Sequence, residues 1–137
     1  MYDENTPILL APRKREELLR DGQKLFNEAK FFEAHEAWEG LWKLERERDK
    51  IFLQALIVTC GHFVQLQKGL WSPAKSLAHS ALGKFSLAPH DPIYVQLDVE
   101  PLIFALKYNQ NLLHETEEVE SLSWNSFIVP QLFEKNL

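Results

Sequence analysis

The chain has one cysteine, one methionine and five glycines in 137 residues. A lone Cys60 cannot form an internal disulfide, so the disulfide-stapled class is excluded and a reducing cytoplasm is the expected setting. Five scattered glycines build neither a phosphate-binding loop nor a dinucleotide fingerprint. Excess positive charge is missing as well: fifteen Lys plus Arg stand against twenty Asp plus Glu, a net charge of -5. A polyanion-binding surface is therefore not expected, and no nucleic-acid partner. Met1 to Thr6 carry Asp3 and Glu4 without a basic stretch, so no cleaved leader is expected. The longest uncharged run, Ile51 to Gln67, is short for a bilayer and is interrupted by Gln54, Thr59, His62, Gln65 and Gln67. No membrane span is expected. No alternation strong enough to require a sheet appears.

What remains is a chain that is 45% apolar, enough for one domain over residues 1–137, with a helical core over 11–115 and an apolar tail over 116–137. Leu18, Leu19, Gly22, Leu25, Phe26 and Ala29 recur at helical spacing after Pro12, which suits a first turn. A short turn over 27–30 leads to a second amphipathic helix carrying Phe31, Phe32, Ala34, Trp38, Leu41 and Trp42. The charged stretch Glu45 to Lys50 reads as a link to the uncharged third helix, whose continuous apolarity marks it as the buried centre. Ser72 and Pro73 read as cap and first residue of helix four, striped by Ala74, Leu77, Ala78, Ala81, Leu82 and Phe85 and closed by Pro89 and Pro92. Asp98 is a candidate cap for helix five, with Val99, Leu102, Ile103, Leu106 and Leu113 along one side. The tail, with Trp124, Phe127, Ile128, Val129, Leu132 and Phe133 around Pro130, is too apolar to be left in water. The fold class is all-α: a compact bundle of about five main helices with a buried central helix and a docked C-terminal tail.

Within helix two, polar groups fall where apolar ones belong. At about 100° per residue, with Phe32 at zero, Phe31, Trp38 and Trp42 centre near about 260°, His35 falls at about 300° and Glu39 at about 340°. His35 and Glu39 thus turn toward the core one turn apart, where two side chains touch or share a ligand. Glu36 and Glu33 turn toward the rim. Helix three offers Gln54, Gly61, Gln65 and His62, and an antiparallel hairpin sets His35 level with residues 60–62, with Gly61 permitting close approach. A polar cluster of His35, Glu39, Gln54, His62 and Gln65, covered at one end by Trp42, is the candidate site.

A buried carboxylate must be paired or neutralised. Three arrangements satisfy that requirement here. A structural network has Glu39 orienting the His35 ring. A metal site of His35, Glu39 and His62 is a ligand set for Zn²⁺ or Fe²⁺ with open positions, the base of a hydrolase-like activity. Metal-free acid–base chemistry would use His35, Glu36 and Glu39. Cys60 reads as a buried structural residue without a basic activator. His79 and His114 fall off the apolar stripes of their helices, and His90 sits in the proline loop.

The motif Phe32-x-x-His35-Glu36-x-x-Glu39-x-x-Trp42, followed by Leu53-Gln54-Ala55-Leu56-Ile57, His62, Ala74-x-x-Leu77 and Asp98-Val99, resembles the domain of unknown function 309 family of small all-α prokaryotic proteins. The resemblance spans roughly Leu18 to Leu113. It implies a compact helical bundle with His35, Glu36, Glu39, Trp42 and Gln54 at the signature positions. Ala55 stands where that pattern has Gly, and Val58 where a second Gln is common. The resemblance implies no particular reaction. Two function classes follow: a helical interaction module with a small-molecule or protein partner, and a metal-dependent hydrolase-like enzyme. A homodimer is also expected, because the tail and central helix offer more apolar surface than five short helices cover. Inward pairing of His35 with Glu39 predicts a loss of about 2–4 kcal/mol for Glu39→Ala.

Overall fold

The computed structural model describes residues 12–88 and 97–135. Five helices account for most of them: α1 (Pro12–Asn27), α2 (Phe31–Lys43), α3 (Glu47–Gln67), α4 (Trp71–Leu87) and α5 (Glu100–Glu115). Each packs on the next in chain order, α1 on α2, α2 on α3, α3 on α4 and α4 on α5. Among the described residues no strand forms, only an isolated bridge between Leu97 and Glu134. The all-α bundle is the observed fold, and its proline loop with Pro89, His90 and Pro92 lies outside the described residues.

Short connections enforce the up-and-down order. After α1, the Lys30 N–H donates to Leu25 O and the Ala29 N–H to Phe26 O; after α3, Leu70 donates to Gln65 O and Gly69 to Leu66 O. Both are Schellman closures, which use the last helical carbonyls and need one left-handed residue. Gly69 supplies it at φ 70° and Ala29 at φ 61°. Only Gly adopts that conformation without strain.

Helix α3 is the centre, burying Phe52, Leu53, Leu56, Cys60 and Phe63. Phe26, Phe31 and Phe63 meet with ring centroids 4.9 to 5.5 Å apart. The α1–α2 contact is closer still, because Gly22 faces Trp38 and the indole Nε1 donates to Leu19 O at 3.1 Å. A Cβ on residue 22 would lie 2.1 Å from that indole.

Several boundaries shift from the sequence reading. Helix α3 begins at Glu47, so the charged run through Lys50 is its first turn and the link shrinks to 44–46. Helix α4 begins at Trp71, two residues ahead of Pro73, and Ser72 makes no cap bond. Asp98 Oδ1 accepts the Glu100 N–H at 3.1 Å, but the cap position of α5 is Val99, one residue later than expected. The tail docks on its own bundle, with Phe127 and Leu132 buried and Trp71 against Phe127 at 5.3 Å.

Candidate functional site

The cleft nearest the signature residues lies between α2 and α3, lined by Phe32, His35, Gly61, Val64, Gln65 and Lys68, with a volume of about 210 Å³. Helix α2 supplies its wall because Phe32 and His35, three residues apart, project to one side, their rings stacked at 5.9 Å and 27°. Phe32 is exposed, whereas the flanking Phe31 and Ala34 are buried. His35 and Gly61 line this cleft together. Gly61 itself faces α4, where a Cβ would meet Leu77 at 3.3 Å, so its bare backbone serves the α3–α4 contact.

His35 and Glu39 pair as their spacing suggests, Nε2 to Oε2 at 3.1 Å. Their side chains are 32% and 40% exposed, so the couple sits at the lip of the bundle and not inside it. Lys43 approaches the other carboxylate oxygen at 3.6 Å. Glu39 therefore bridges an imidazole and an ammonium along one face. The Nδ1 of His35 is buried and lacks a hydrogen-bond partner.

The structure separates the rest of the expected cluster. Gln54 is exposed and Glu36 points to solvent, while Gln65 joins His35 in the cleft. His62 is fully buried on the far side of α3: its Nδ1 lies 2.7 Å from Ala74 O and its Nε2 3.3 Å from Asn109 Nδ2. At about 100° per residue, Val64 stands about 200° round α3 from His62, which is why Val64 lines the cleft with α2 while His62 meets α4 and α5. Burial holds the His62 ring down to about 4, against the opposing effect of its Ala74 bond. Among the described residues no group of three or more His, Cys, Asp and Glu side chains is placed to hold a metal ion. The expected ligand set of His35, Glu39 and His62 is thus not assembled. Trp42 is half-buried near the α2–α3 turn, with Lys50 Nζ 4.9 Å from its ring centre, and does not line the cleft.

Cys60 is fully buried and burial pushes its thiol up, as expected of a structural cysteine. His79 and His114 are surface residues that bridge α4 and α5, His79 to Gln110 and His114 to Lys75.

The model of the domain of unknown function 309 (DUF309) matches residues 19–77. Over that segment the chain is similar to the DUF309 family. The segment runs from mid-α1 into α4, a shorter stretch than the resemblance through Leu113 suggested. It contains the whole α2–α3 cleft and His62, and leaves out Asn109 and the tail. No curated protein and no solved structure matches the chain. No helix among the described residues is long and apolar enough to cross a membrane.

Two groups escaped the sequence reading. Asn109 occupies a core position of α5 at the spacing of Leu102, Leu106 and Leu113, so a polar residue inside an apolar stripe was the available signal. Asp49, 1% exposed with both carboxylate oxygens lacking hydrogen-bond partners, was hidden in a run read as a surface link.

Proposed function

We propose that the protein is a helical interaction module whose α2–α3 cleft receives a side chain of a partner protein. One observation carries this reading: the cleft at the family's signature helix measures about 210 Å³. Pockets for cofactors and whole substrates run to about 300–1,000 Å³. The smaller volume suits one side chain or a fragment of that size. Phe32 and Val64 provide apolar walls, Gln65 and Lys68 supply donors, and no carboxylate lines the space. The preferred occupant is an apolar group followed by an acidic one. The His35–Glu39–Lys43 row then serves as a polar rim that orients the partner. A reducing compartment such as the cytoplasm fits the buried, free Cys60.

The test is a titration of isotope-labelled protein with benzoate, which combines a ring and a carboxylate, against benzyl alcohol. Amide shifts centred on residues 32, 61, 65 and 68, stronger for benzoate and reduced in Lys68→Glu, are expected. Elemental analysis of protein expressed with added metal is expected to find no stoichiometric zinc or iron. Bound metal that disappears in His35→Ala, with the helical signal intact, overturns the reading in favour of a metal site.

A further inference from the structure

The segment from Phe127 to Glu134 is held on the bundle by groups that address main chain. Asn27 of α1 engages both peptide atoms of Leu132: the Leu132 N–H donates to Oδ1 at 2.7 Å and Nδ2 donates to Leu132 O at 2.9 Å. Gln23 Nε2 donates to the same carbonyl at 2.8 Å. Asn109 of α5 treats Ile128 identically, accepting its N–H at 2.9 Å and donating to its carbonyl at 3.0 Å. The Asp98 N–H donates to Phe133 O at 2.9 Å, and Arg20 meets Glu134 at 2.9 Å. Between the two asparagines, Pro130 and Leu132 are buried, as is Phe127 just before them. Paired amides on an irregular strand read backbone direction, and the buried side chains supply the anchoring; this is peptide recognition by a preformed track.

Such a track cannot distinguish the chain's own tail from the tail of an identical molecule. The chain leaves α5 through Thr116, Glu117 and Glu118, where repulsion among the exposed Glu115, Glu117, Glu118 and Glu120 favours an extended hinge; the short helical turns beyond it, with Trp124 on Phe31 at 6.1 Å, would travel with the exchanged tail. We propose that two copies of this chain exchange tails, each seating Phe127–Glu134 on Asn27 and Asn109 of the other. Each contact broken within one copy is re-formed between copies, so the balance is set by the hinge and by concentration, with no new interface required. The exchange site is separate from the α2–α3 cleft and does not depend on what that cleft binds.

Two full-length variants test the exchange. Leu132→Asp spoils the tail and keeps the track; Asn27→Ala with Asn109→Ala spoils the track and keeps the tail. Mixed after concentration, they are expected to give a one-to-one complex at twice the chain's 16.0 kDa, while each alone stays at the single mass. A mixture that stays monomeric, with both variants helical by circular dichroism, overturns the proposal. Should either variant lose its helical signal, wild-type chain labelled in two batches with donor and acceptor dyes gives the second reading. Energy transfer that grows with concentration and falls with excess synthetic peptide spanning Trp124–Lys135 is expected. Transfer that is absent, or indifferent to that peptide, refutes the exchange.

Discussion

Asn109 and His62 meet in the core, Nδ2 to Nε2 at 3.3 Å, and this contact sets the tautomer of the histidine. The amide nitrogen can only donate, so Nε2 accepts and the ring proton sits on Nδ1, where it is donated to Ala74 O at 2.7 Å. The same Asn109 clasps Ile128 with both side-chain atoms. A neutral ring in α3, an amide in α5 and the tail backbone form one satisfied network across three segments.

Acid should loosen that network. Buried His62 is held at about 4, below its ordinary 6.5, so the unfolded chain takes up its proton first. Stability from this group is complete above about pH 6.5 and is lost as pH falls from there toward 4. About 1.4 kcal/mol per pKa unit makes the loss on the order of 3 kcal/mol. Urea unfolding at pH 7, 5.5 and 4.5 checks it, with His62→Gln as reference. A wild-type curve parallel to the variant's over that range is inconsistent with a neutral buried ring.

Removing the amide should cost more than removing its counterpart on α1. Asn109→Ala leaves the Ile128 peptide and His62 Nε2 without partners in the interior, for about 2–4 kcal/mol. Asn27→Ala strips similar bonds from Leu132 at a half-buried position, where Gln23 still donates to the same carbonyl, for about 1–2 kcal/mol. Thermal or urea unfolding of the two variants decides the order.

Glu39→Ala now has a smaller expected effect than the sequence pattern implied. With the carboxylate 40% exposed, its bonds to His35 and Lys43 are screened by water. A loss under about 1 kcal/mol follows, close to that of exposed Glu33→Ala. A loss of several kcal/mol would mean that the pair is buried after all.

The contrast shows which features a sequence makes legible. Helical spacing correctly placed Phe31, Trp38 and Leu41 inside and Glu33 outside, because those residues lie at the centre or far side of the apolar arc. His35 and Glu39 lie on the arc's margin, where about 40° of rotation decides between core and rim, and hydrophobicity alone does not fix rotation that finely. In α3 the difficulty is greater: with apolar residues all round, Gln54, His62 and Gln65 carry no indication of which neighbour each one faces. That α2 and α3 pack on each other was legible from their short connection; the rotation of α3 was not. The tail's need to dock was evident from its composition, whereas its clasps join Leu132 to Asn27, 105 residues away, and Ile128 to Asn109, 19 residues away, and only folding brings these pairs together.

Gly22 marks a different kind of constraint. Its Cα lies against Trp38, so a methyl group there would fall inside the indole's contact distance. Gly22→Ala improves helix propensity by about 1 kcal/mol, yet overpacking opposes it by about 1–3 kcal/mol or more, since the indole is also tethered to Leu19 O. A net destabilisation near 2 kcal/mol is expected, with altered tryptophan fluorescence. A more stable variant would show that α1 can slide away from α2 without penalty.

Asp49 should be a site where losing a charge helps. It lies in the first turn of α3 beside buried Glu45, which pairs with Arg15 at 3.6 Å. Burial, and then the Glu45 charge, push the Asp49 carboxyl above its ordinary value, outweighing the arginines Arg15, Arg46 and Arg48 nearby. A carboxyl raised in the folded state favours folding when protonated, so its contribution is best in acid and is lost as pH rises through the folded value. Asp49→Asn removes the ionisation while keeping the shape. It is expected to raise stability at pH 7, and the gain should shrink as pH falls through the raised folded value and vanish below about 4, where the wild-type carboxyl is protonated in both states. Paired urea curves at pH 7 and pH 3.5 provide the check. A variant that is weaker at pH 7 would show that the carboxylate is held by the helix terminus and the arginines more strongly than its burial opposes it.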